Sequence, residues 1–421
     1  MPVYISLLFC VHANAQSNNH TDTLNISLPE TEKIFLDSNL FILAAHYNVD
    51  AASAQIIQAK YWDNPVLNTD QVVMANNYFL PYKTLPDGSP GAQYYIEIDQ
   101  LIKTAGKRGK LIAAAQTNRD ISQLQLEDVI RKLTSQLHVD YYTIAHHLNN
   151  YEFYKQQQTQ LNTLLAAMKG QLDAGNISQK DYLQLQSLSV SLKQDMIDMS
   201  SDVEDAEADL KTLLHISGTV FIKPANTAPA QLSLPEDVTY YINQAKQNNP
   251  YYKLQQMQTV YQQQLLTYQQ ALRNPDVTVK ADYDRQSNYA PNYVGMGVSL
   301  PLPLFNKNKG NIQSANAALQ QQQVVQNNAE TELENDVVNA YNKLMLVAGQ
   351  DNSEQQDFLK RYDALYQSMI NSYKARQISF LDFTNFFNDY KDLQEKILQQ
   401  KLNLLIAADN LNYETGINVI K

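Results

Sequence analysis

The chain has 421 residues and a formal net charge of −11, and it contains no block of lysine and arginine. Neutralising nucleic-acid phosphates requires clustered cations, so this charge pattern argues against nucleic acid as a partner. Only 12 glycines and 14 prolines are spread over this length. So few turn-forming residues favour long helices over many short strands.

The N-terminal residues have the pattern of a secretory signal peptide. Residues 3–11 are mostly apolar, and an Ala-Asn-Ala sequence at 13–15 resembles a small-x-small cleavage site. We therefore expect residues 1–15 to be a signal peptide, although the basic residues that usually precede the apolar run are missing. The alternative is a short buried N-terminal strand. Cys10, the single cysteine of the chain, would be removed with the peptide.

Three short segments have the two-residue period of strands with one apolar face. They are 94–99 in the first half of the chain, and 277–284 and 293–300 in the second, and 65–73 is a weaker partner strand for 94–99. We expect one β-hairpin in each half, with strands about ten residues long, the length that crosses a bilayer when tilted. Their connecting loops, 75–82 and 287–292, are rich in tyrosine, which favours the membrane–water interface.

After the signal peptide the chain has no uninterrupted apolar run of about 18 residues, so we expect no transmembrane helix. Strands that close into a barrel are the other way to cross a bilayer. Four strands are too few, because about eight is the smallest number that closes a barrel. The strands would therefore have to be pooled between chains.

Long helices follow each predicted β-hairpin. Apolar residues recur from Leu126 to Leu172 with a mean step of about 3.5 residues, the coiled-coil value. A second apolar stripe runs from Tyr182 to Leu213. Each stripe contains one polar residue, Gln158 in the first and Ser189 in the second. We expect a helix from about Lys107 to Ala174, roughly 100 Å long.

The second half repeats this design. A turn at Gly175-Asn176 precedes the return helix of the first half. In the second half we expect a helix from about Gly310 to Ala375, a turn at Arg376-Gln377, and a return helix through Leu411.

The two halves match at a fixed spacing. Ala174 matches Ala375, and Asp181 matches Asp382, each 201 positions further along. A period this long indicates two copies of a whole module rather than a solenoid of short repeats. We expect two structural repeats, residues 16–220 and 221–421, each with a helix, a β-hairpin and a coiled-coil hairpin.

This plan closely resembles the TolC family of outer-membrane efflux proteins. Two segments, 300–312 (LPLPLFNKNKGNI) and 103–110 (KTAGKRGK), are similar to its CzcC/CusC branch, which serves heavy-metal efflux pumps. The implied fold is mainly α with membrane β. Long coiled-coil helical hairpins would form an α-barrel extending into the periplasm, and four strands per chain would join a trimeric twelve-stranded β-barrel in the outer membrane.

The resemblance also implies a function and partners. A homotrimer would act as a passive duct, with no enzymatic activity and no cofactor. It would contact outer-membrane lipid, a periplasmic adaptor (membrane fusion) protein and an inner-membrane RND-type transporter. Its cargo would be heavy-metal cations. Multidrug export and polypeptide export by the same kind of duct are alternatives, and a periplasmic coiled-coil scaffold is an alternative of another class.

The resemblance further suggests site residues at the hairpin tips. The periplasmic entrance, or gate, would be formed by Asp382 and its counterpart Asp181, with Asn385 where some members carry a second acidic residue. A solvated helix cap is the structural alternative for Asp382. The tips expected to dock the adaptor comprise Gly175, Asn176, Ile177, Ser178, Arg376, Gln377, Ile378 and Ser379.

Two other groups of residues could suggest metal ligands. Adjacent histidines such as His146 and His147 point to different faces of a helix and cannot chelate one ion from that helix alone. Met196 and Met199 lie on the second apolar stripe, where core packing is the simpler interpretation. No set of three or four ligands with an established spacing occurs, so we expect no metal site.

Overall fold

The computed structural model describes residues 23–71, 73–75, 78–79, 94–216, 220–225, 237–287, 289–349 and 353–418. The predicted signal peptide at 1–15 lies outside these residues, as does most of the tyrosine-rich loop at 75–82.

Helices account for most of the described chain. In order they are α1 (Leu28–Ser38), α2 (Leu40–Lys60), α3 (Lys107–Asp173), α4 (Gln179–Leu214), α5 (Val238–Asn248), α6 (Pro250–Ala271), α7 (Lys309–Ala348), α8 (Ser353–Lys374) and α9 (Phe380–Thr415). None of the helices within the described ranges combines the length and the apolar character needed to cross a membrane.

The strands are short and occur between the helices. In order they are β1 (Thr23–Ile26), β2 (Val66–Gln71), β3 (Met74–Ala75), β4 (Tyr78–Phe79), β5 (Tyr94–Ile102), β6 (Phe221–Pro224), β7 (Val277–Gln286) and β8 (Pro291–Ser299).

The long helix predicted in the first half is confirmed, because α3 runs without a break from Lys107 to Asp173. The single helix predicted from about Gly310 to Ala375 is wrong. In its place α7 ends at Ala348 and α8 begins at Ser353. The sequence between them, Gly-Gln-Asp-Asn, is rich in residues with low helix propensity.

Contacts divide the chain into two compact units. Counting the described residues alone, the first lies within 1–38, 137–228 and 357–402, and the second lies within 39–136, 229–356 and 403–421. The helices α3, α8 and α9 contribute residues to both.

An apolar core fills the helical hairpins of the first unit. Its buried members are Tyr154, Leu161, Leu164, Met168, Leu185, Leu192, Tyr366, Ile370, Tyr373, Phe383, Phe387 and Tyr390. They come from α3, α4, α8 and α9, so both hairpins share one core. The polar residues of the two predicted stripes meet inside the first hairpin, where Gln158 Nε2 donates to Ser189 Oγ over 2.7 Å.

A four-stranded antiparallel sheet lies in the second unit, in the order β2-β5-β7-β8. Both predicted β-hairpins are confirmed, although β2 has only six residues. Pairing of β5 with β7 joins them, from Tyr95 opposite Asp284 to Ile102 opposite Val277.

The sheet has one apolar and one polar face. The apolar face carries Ile96, Ile98, Val294, Met296 and Val298, all of which are exposed in the single chain. The opposite face carries carboxylates. Exposed apolar residues at strand spacing indicate a surface made to contact something other than water.

Candidate functional site

The tip of the first hairpin ends α3 with a Schellman motif. Gly175 has a φ of +70°, and its N–H donates to Leu172 O over 2.9 Å. The N–H of Asn176 donates to Gln171 O over 2.8 Å. These two bonds satisfy carbonyls that the last helical turn would otherwise leave unpaired. The glycine is explained locally, because its φ lies in the left-handed region.

The second tip has the same backbone with a different residue. Arg376 has a φ of +59°, and its N–H donates to Tyr373 O over 3.0 Å. Gln377 N–H donates to Ser372 O over 2.8 Å. A left-handed conformation costs a residue with a side chain roughly 1–2 kcal/mol. The two tips therefore share a fold but present different surfaces, a glycine on one and a guanidinium on the other.

A glutamine at the end of α3 links the two tips. Gln171 Oε1 accepts a hydrogen bond from Asn176 Nδ2 over 3.1 Å and one from Arg376 Nη2 over 2.6 Å. Both donors are exposed. The arginine therefore connects the second tip to the first.

Each return helix begins with a serine cap. Ser178 Oγ accepts from the N–H of Asp181 over 3.1 Å, and Ser379 Oγ accepts from the N–H of Asp382 over 3.1 Å. In the second tip the bonding is reciprocal, because the N–H of Ser379 donates to Asp382 Oδ2 over 3.3 Å and Ser379 Oγ donates to the same oxygen over 2.7 Å. This is the geometry of a capping box. The carboxylate of Asp382 is thus held at the start of α9 while it remains exposed.

The predicted tip residues fall into two groups. Ile177 and Ile378 are partly buried against the core of their own unit, so their first role is to fix the turns. The exposed members are Gly175, Asn176, Ser178, Arg376, Gln377 and Ser379. Only this second group is available to a partner.

The predicted entrance acids have different surroundings. Asp181 is half-buried, whereas Asp382 and Asn385 are exposed. Burial, with a further contribution from the charge of Asp181, raises the pKa of the Tyr373 phenol to about 12. Tyr373 therefore stays neutral at physiological pH and stacks on Phe383 with ring centroids 4.8 Å apart.

An aromatic stack supports the second hairpin and is absent from the sequence-based predictions. Tyr366 and Tyr390 stack at 4.0 Å with an interplanar angle of 5°. Tyr390 Oη donates to Asp363 Oδ1 over 2.9 Å, and Tyr366 Oη donates to Gln157 Oε1. The spacing of Tyr366 and Phe387 along their helices could have identified both as core residues, but no pattern indicates which rings stack.

The histidines and methionines outside the tips have structural surroundings. Burial lowers the pKa of both His146 and His147, so both are mostly neutral at pH 7. Met196 and Met199 pack against the core of the first unit, as the packing interpretation predicts. Within the described ranges, no three His, Cys, Asp or Glu side chains are grouped closely enough to hold a metal ion.

The polar face of the sheet forms a second candidate site in the other unit. Lys280 Nζ lies 3.2 Å from Glu97 Oε1 and 3.3 Å from Asp99 Oδ2. The register places Asp282 opposite Glu97, and Asp284 lies two residues further along the same strand. Carboxylates thus outnumber the lysine on this face, which gives it a negative charge.

Close packing of backbone against a carboxylate marks this face. A Cβ added to Gly295 would lie 2.7 Å from Asp282 Oδ1 and 2.7 Å from Tyr293 Cε1. Both distances are shorter than real Cβ contacts, so the absence of a side chain at Gly295 leaves room for the Asp282 carboxylate.

Helical hairpins with paired tips, together with a sheet that has one charged and one exposed apolar face, define a channel protein of the TolC type. The chain belongs to the outer membrane efflux protein family, whose model matches residues 33–214 and 241–416. Members of this family are passive channels, so the chain is not an enzyme. This membership favours a duct over the alternative of a coiled-coil scaffold.

Individual relatives agree with this assignment. The chain is 21% identical over 378 residues to the cobalt-zinc-cadmium resistance protein CzcC of Cupriavidus metallidurans, covering 87% of this chain and 83% of the relative. The fold is similar to that of CusC, with a TM-score of 0.77, 14% identity and 99% of each chain covered. It is also similar to the CmeC outer membrane channel of Campylobacter jejuni, with a TM-score of 0.77, 13% identity, and 93% of this chain and 86% of that chain covered.

Proposed function

We propose that this chain forms the outer-membrane duct of a tripartite efflux pump and that heavy-metal cations are its cargo. Three copies would each supply the four strands of the sheet and two helical hairpins, one from each of the repeats 16–220 and 221–421. The strands would cross the outer membrane and the hairpins would extend into the periplasm. The family match over most of the chain is the observation that carries the proposal.

Two observations support cations as the cargo. The relative CzcC is a cobalt-zinc-cadmium resistance protein. The polar face of the sheet carries Glu97, Asp99, Asp282 and Asp284 against the single amine of Lys280. Turned towards the lumen, this face would concentrate cations, because a charged cleft raises the local concentration of the opposite charge.

A passive duct requires partners that supply energy. The proposed partners are an inner-membrane RND-type transporter and a periplasmic adaptor that docks on the exposed tip residues. Because one tip presents Gly175 and the other Arg376, the two adaptor contacts of each chain are not equivalent. The guanidinium of Arg376 would favour an acidic adaptor residue at the second tip.

Asp382 is the proposed charged residue of the periplasmic entrance. Its carboxylate is exposed and held in place by Ser379, so three copies around one axis would present three fixed negative charges. Asp181 is half-buried and would contribute less, while Asn385 adds no charge.

The matched variants Asp382→Asn and Asp389→Asn test this role in reconstituted channels. Asp389 is exposed on the same helix, α9. We expect Asp382→Asn to lower the preference for cations over anions more than Asp389→Asn does. Equal effects of the two variants would assign Asp382 to helix capping alone.

Deletion of the gene tests the cargo. We expect the deletion strain to lose tolerance to some of the ions copper, silver, zinc, cobalt and cadmium, and to regain it when the gene is returned. Dyes and antibiotics serve as the comparison, because multidrug export by the same kind of duct is the alternative. Lost tolerance to dyes and antibiotics with unchanged tolerance to metals would support multidrug export instead.

A further inference from the structure

The apolar face of β8 continues beyond the end of the strand. Val294, Met296 and Val298 are exposed on β8, and Leu300, Leu302 and Leu304 follow with the same spacing. Pro301 and Pro303 alternate with them and lack N–H groups, so the segment loses little by leaving the ladder. This apolar row ends at Phe305, whose side chain is 99% exposed.

This segment leaves the sheet at the end where the helices begin. Ser299, the last residue of β8, pairs with Thr278 near the start of β7. At the same end of the sheet, Ile102, the last residue of β5, pairs with Val277, the first residue of β7. Lys107 and Lys309 begin α3 and α7 a few residues later. Leu300–Phe305 therefore lies at the helical end of the sheet, away from the connection between β7 and β8.

Positive charge directly follows the exposed apolar residues. Lys307 and Lys309 are exposed, and neither has an ion-pair partner among the described residues. The first turn of α7 contains no acidic residue. Its N-cap residue, Asn308, makes no side-chain capping bond, because its Oδ1 accepts from Asn311 Nδ2 over 2.6 Å instead of from a backbone N–H. An exposed apolar segment followed by a positively charged helix N-terminus complements a membrane surface of acyl chains and phosphates.

A tryptophan lies at the same end of the sheet. Trp62 precedes β2 by a few residues and is 60% exposed, with the guanidinium of Arg108 4.5 Å above its ring. Tryptophan and tyrosine are enriched where membrane meets water, because one part of the ring is apolar and another polar. This placement agrees with an interface at the helical end of the sheet.

We propose that Leu300–Lys309 anchors the protein in the periplasmic leaflet of the outer membrane. Leu302, Leu304 and Phe305 enter the boundary between headgroups and acyl chains, while Lys307 and Lys309 contact lipid phosphates. A second copy of the chain is the other candidate for covering this segment, but lysines are depleted in protein–protein interfaces. The inference rests on the proposed outer-membrane location.

Tryptophan fluorescence in lipid vesicles tests the anchor in the full-length protein. The chain has one tryptophan, so Trp62→Phe gives a silent background into which Phe305→Trp introduces a single probe. Met296→Trp reports on the apolar face of β8, and Val190→Trp on an exposed position of α4. Vesicles of phosphatidylethanolamine and phosphatidylglycerol would contain phosphatidylcholine brominated at either shallow or deep acyl positions.

The anchor predicts a distinct pattern at the three probes. The Phe305→Trp probe should lose most of its emission with shallow bromines and less with deep ones. The Met296→Trp probe should be quenched by deep bromines, and Val190→Trp by neither. If the Phe305→Trp probe is not quenched while the Met296→Trp probe is, the anchor is overturned. An unquenched Phe305→Trp probe whose emission is nevertheless blue-shifted would show that a second copy of the chain covers the segment. Failure of Met296→Trp as well would overturn the membrane location itself.

The lysines are tested by changing the lipid charge. Removing phosphatidylglycerol should reduce the quenching of the Phe305→Trp probe. In a chain that also carries Lys307→Gln and Lys309→Gln, quenching should no longer respond to phosphatidylglycerol. An unchanged response in that variant would show that these two amines do not contact the phosphates.

Discussion

The buried pair of Gln158 and Ser189 allows a quantitative test of how the first hairpin is held in register. Gln158 Nε2 donates to Ser189 Oγ over 2.7 Å and to Asn162 Oδ1 over 2.9 Å. Both members of the pair are more than nine-tenths buried. The position 201 residues after Gln158 is Leu359, so Gln158→Leu installs the residue that the second half carries at this position.

Each single substitution should destabilise the hairpin. Ser189→Ala removes one of two acceptors of a buried amide, and Gln158→Leu leaves the Ser189 hydroxyl without its partner, at a cost of about 1–2 kcal/mol each. The double variant leaves neither group unpaired and buries a leucine instead. Its cost should be smaller than either single cost, which corresponds to a coupling energy of at least about 1–2 kcal/mol.

Hydrogen exchange measured by mass spectrometry on the intact protein provides the assay. Exchange reports local opening, so amides flanking the pair in α3 and α4 should exchange about five- to thirtyfold faster in each single variant. The double variant should return towards wild-type rates. Strictly additive effects would show that the two side chains do not stabilise each other.

Three further predictions concern other parts of the chain. Gly175→Ala should speed hydrogen exchange of the first tip about fivefold, because the alanine is strained by about 1 kcal/mol at positive φ. Arg376→Gly should slow hydrogen exchange of the second tip or leave it unchanged. Slower exchange in Gly175→Ala and faster exchange in Arg376→Gly would contradict the shared cap geometry. Glu207→Ala should lower the free energy of unfolding by about 2–4 kcal/mol, because Glu207 is buried and accepts from Ile222 N–H and Lys211 Nζ. In thermal unfolding, the exposed control Glu204→Ala should have little effect, and equal effects of the two variants would argue against this role of Glu207. Burial, and then the charge of a nearby aspartate, raises the pKa of Glu414 from 4.5 to about 7. Between these two values the folded state holds a proton on Glu414 that the unfolded state releases, so the free energy of unfolding should fall as pH rises through this interval. Glu414→Gln should flatten that fall, and an unchanged pH profile in this variant would contradict the role of Glu414.

The elements with a long period could be predicted from the sequence. The helix α3 was predictable because its apolar residues keep one spacing over dozens of residues. The strands β7 and β8 were predictable because apolar and polar residues alternate along them without error. The end of α7 at Ala348 was not predictable in this way, because the spacing of apolar residues does not take account of the low helix propensity of Gly349 and the polar residues after it. The four-residue strands β1 and β6 are too short for any period to be recognised.

Contacts between distant segments were the part that the sequence left open. The polar breaks at Gln158 and Ser189 were visible separately, yet only the structure shows that they bond to each other. Likewise the acidic residues of β5 and β7 alternate in the sequence, but their common face depends on the pairing of Glu97 with Asp282.

At the hairpin tips the sequence predicted the turns but not their bonds. Gly175 and Arg376 were expected at equivalent positions, and the structure shows the same cap at both. The contact of Arg376 with Gln171 could not be predicted, because it depends on how the two hairpins pack within one unit.

A passive duct through the outer membrane conducts ions without an energy source. The decisive measurement is therefore the current across a planar bilayer that contains the purified full-length protein. We expect discrete, stable current steps that require no energy source and that carry cations in preference to anions. Absence of any such steps, from a preparation in which Met296→Trp quenching shows the sheet to be in the bilayer, would rule out the proposed duct.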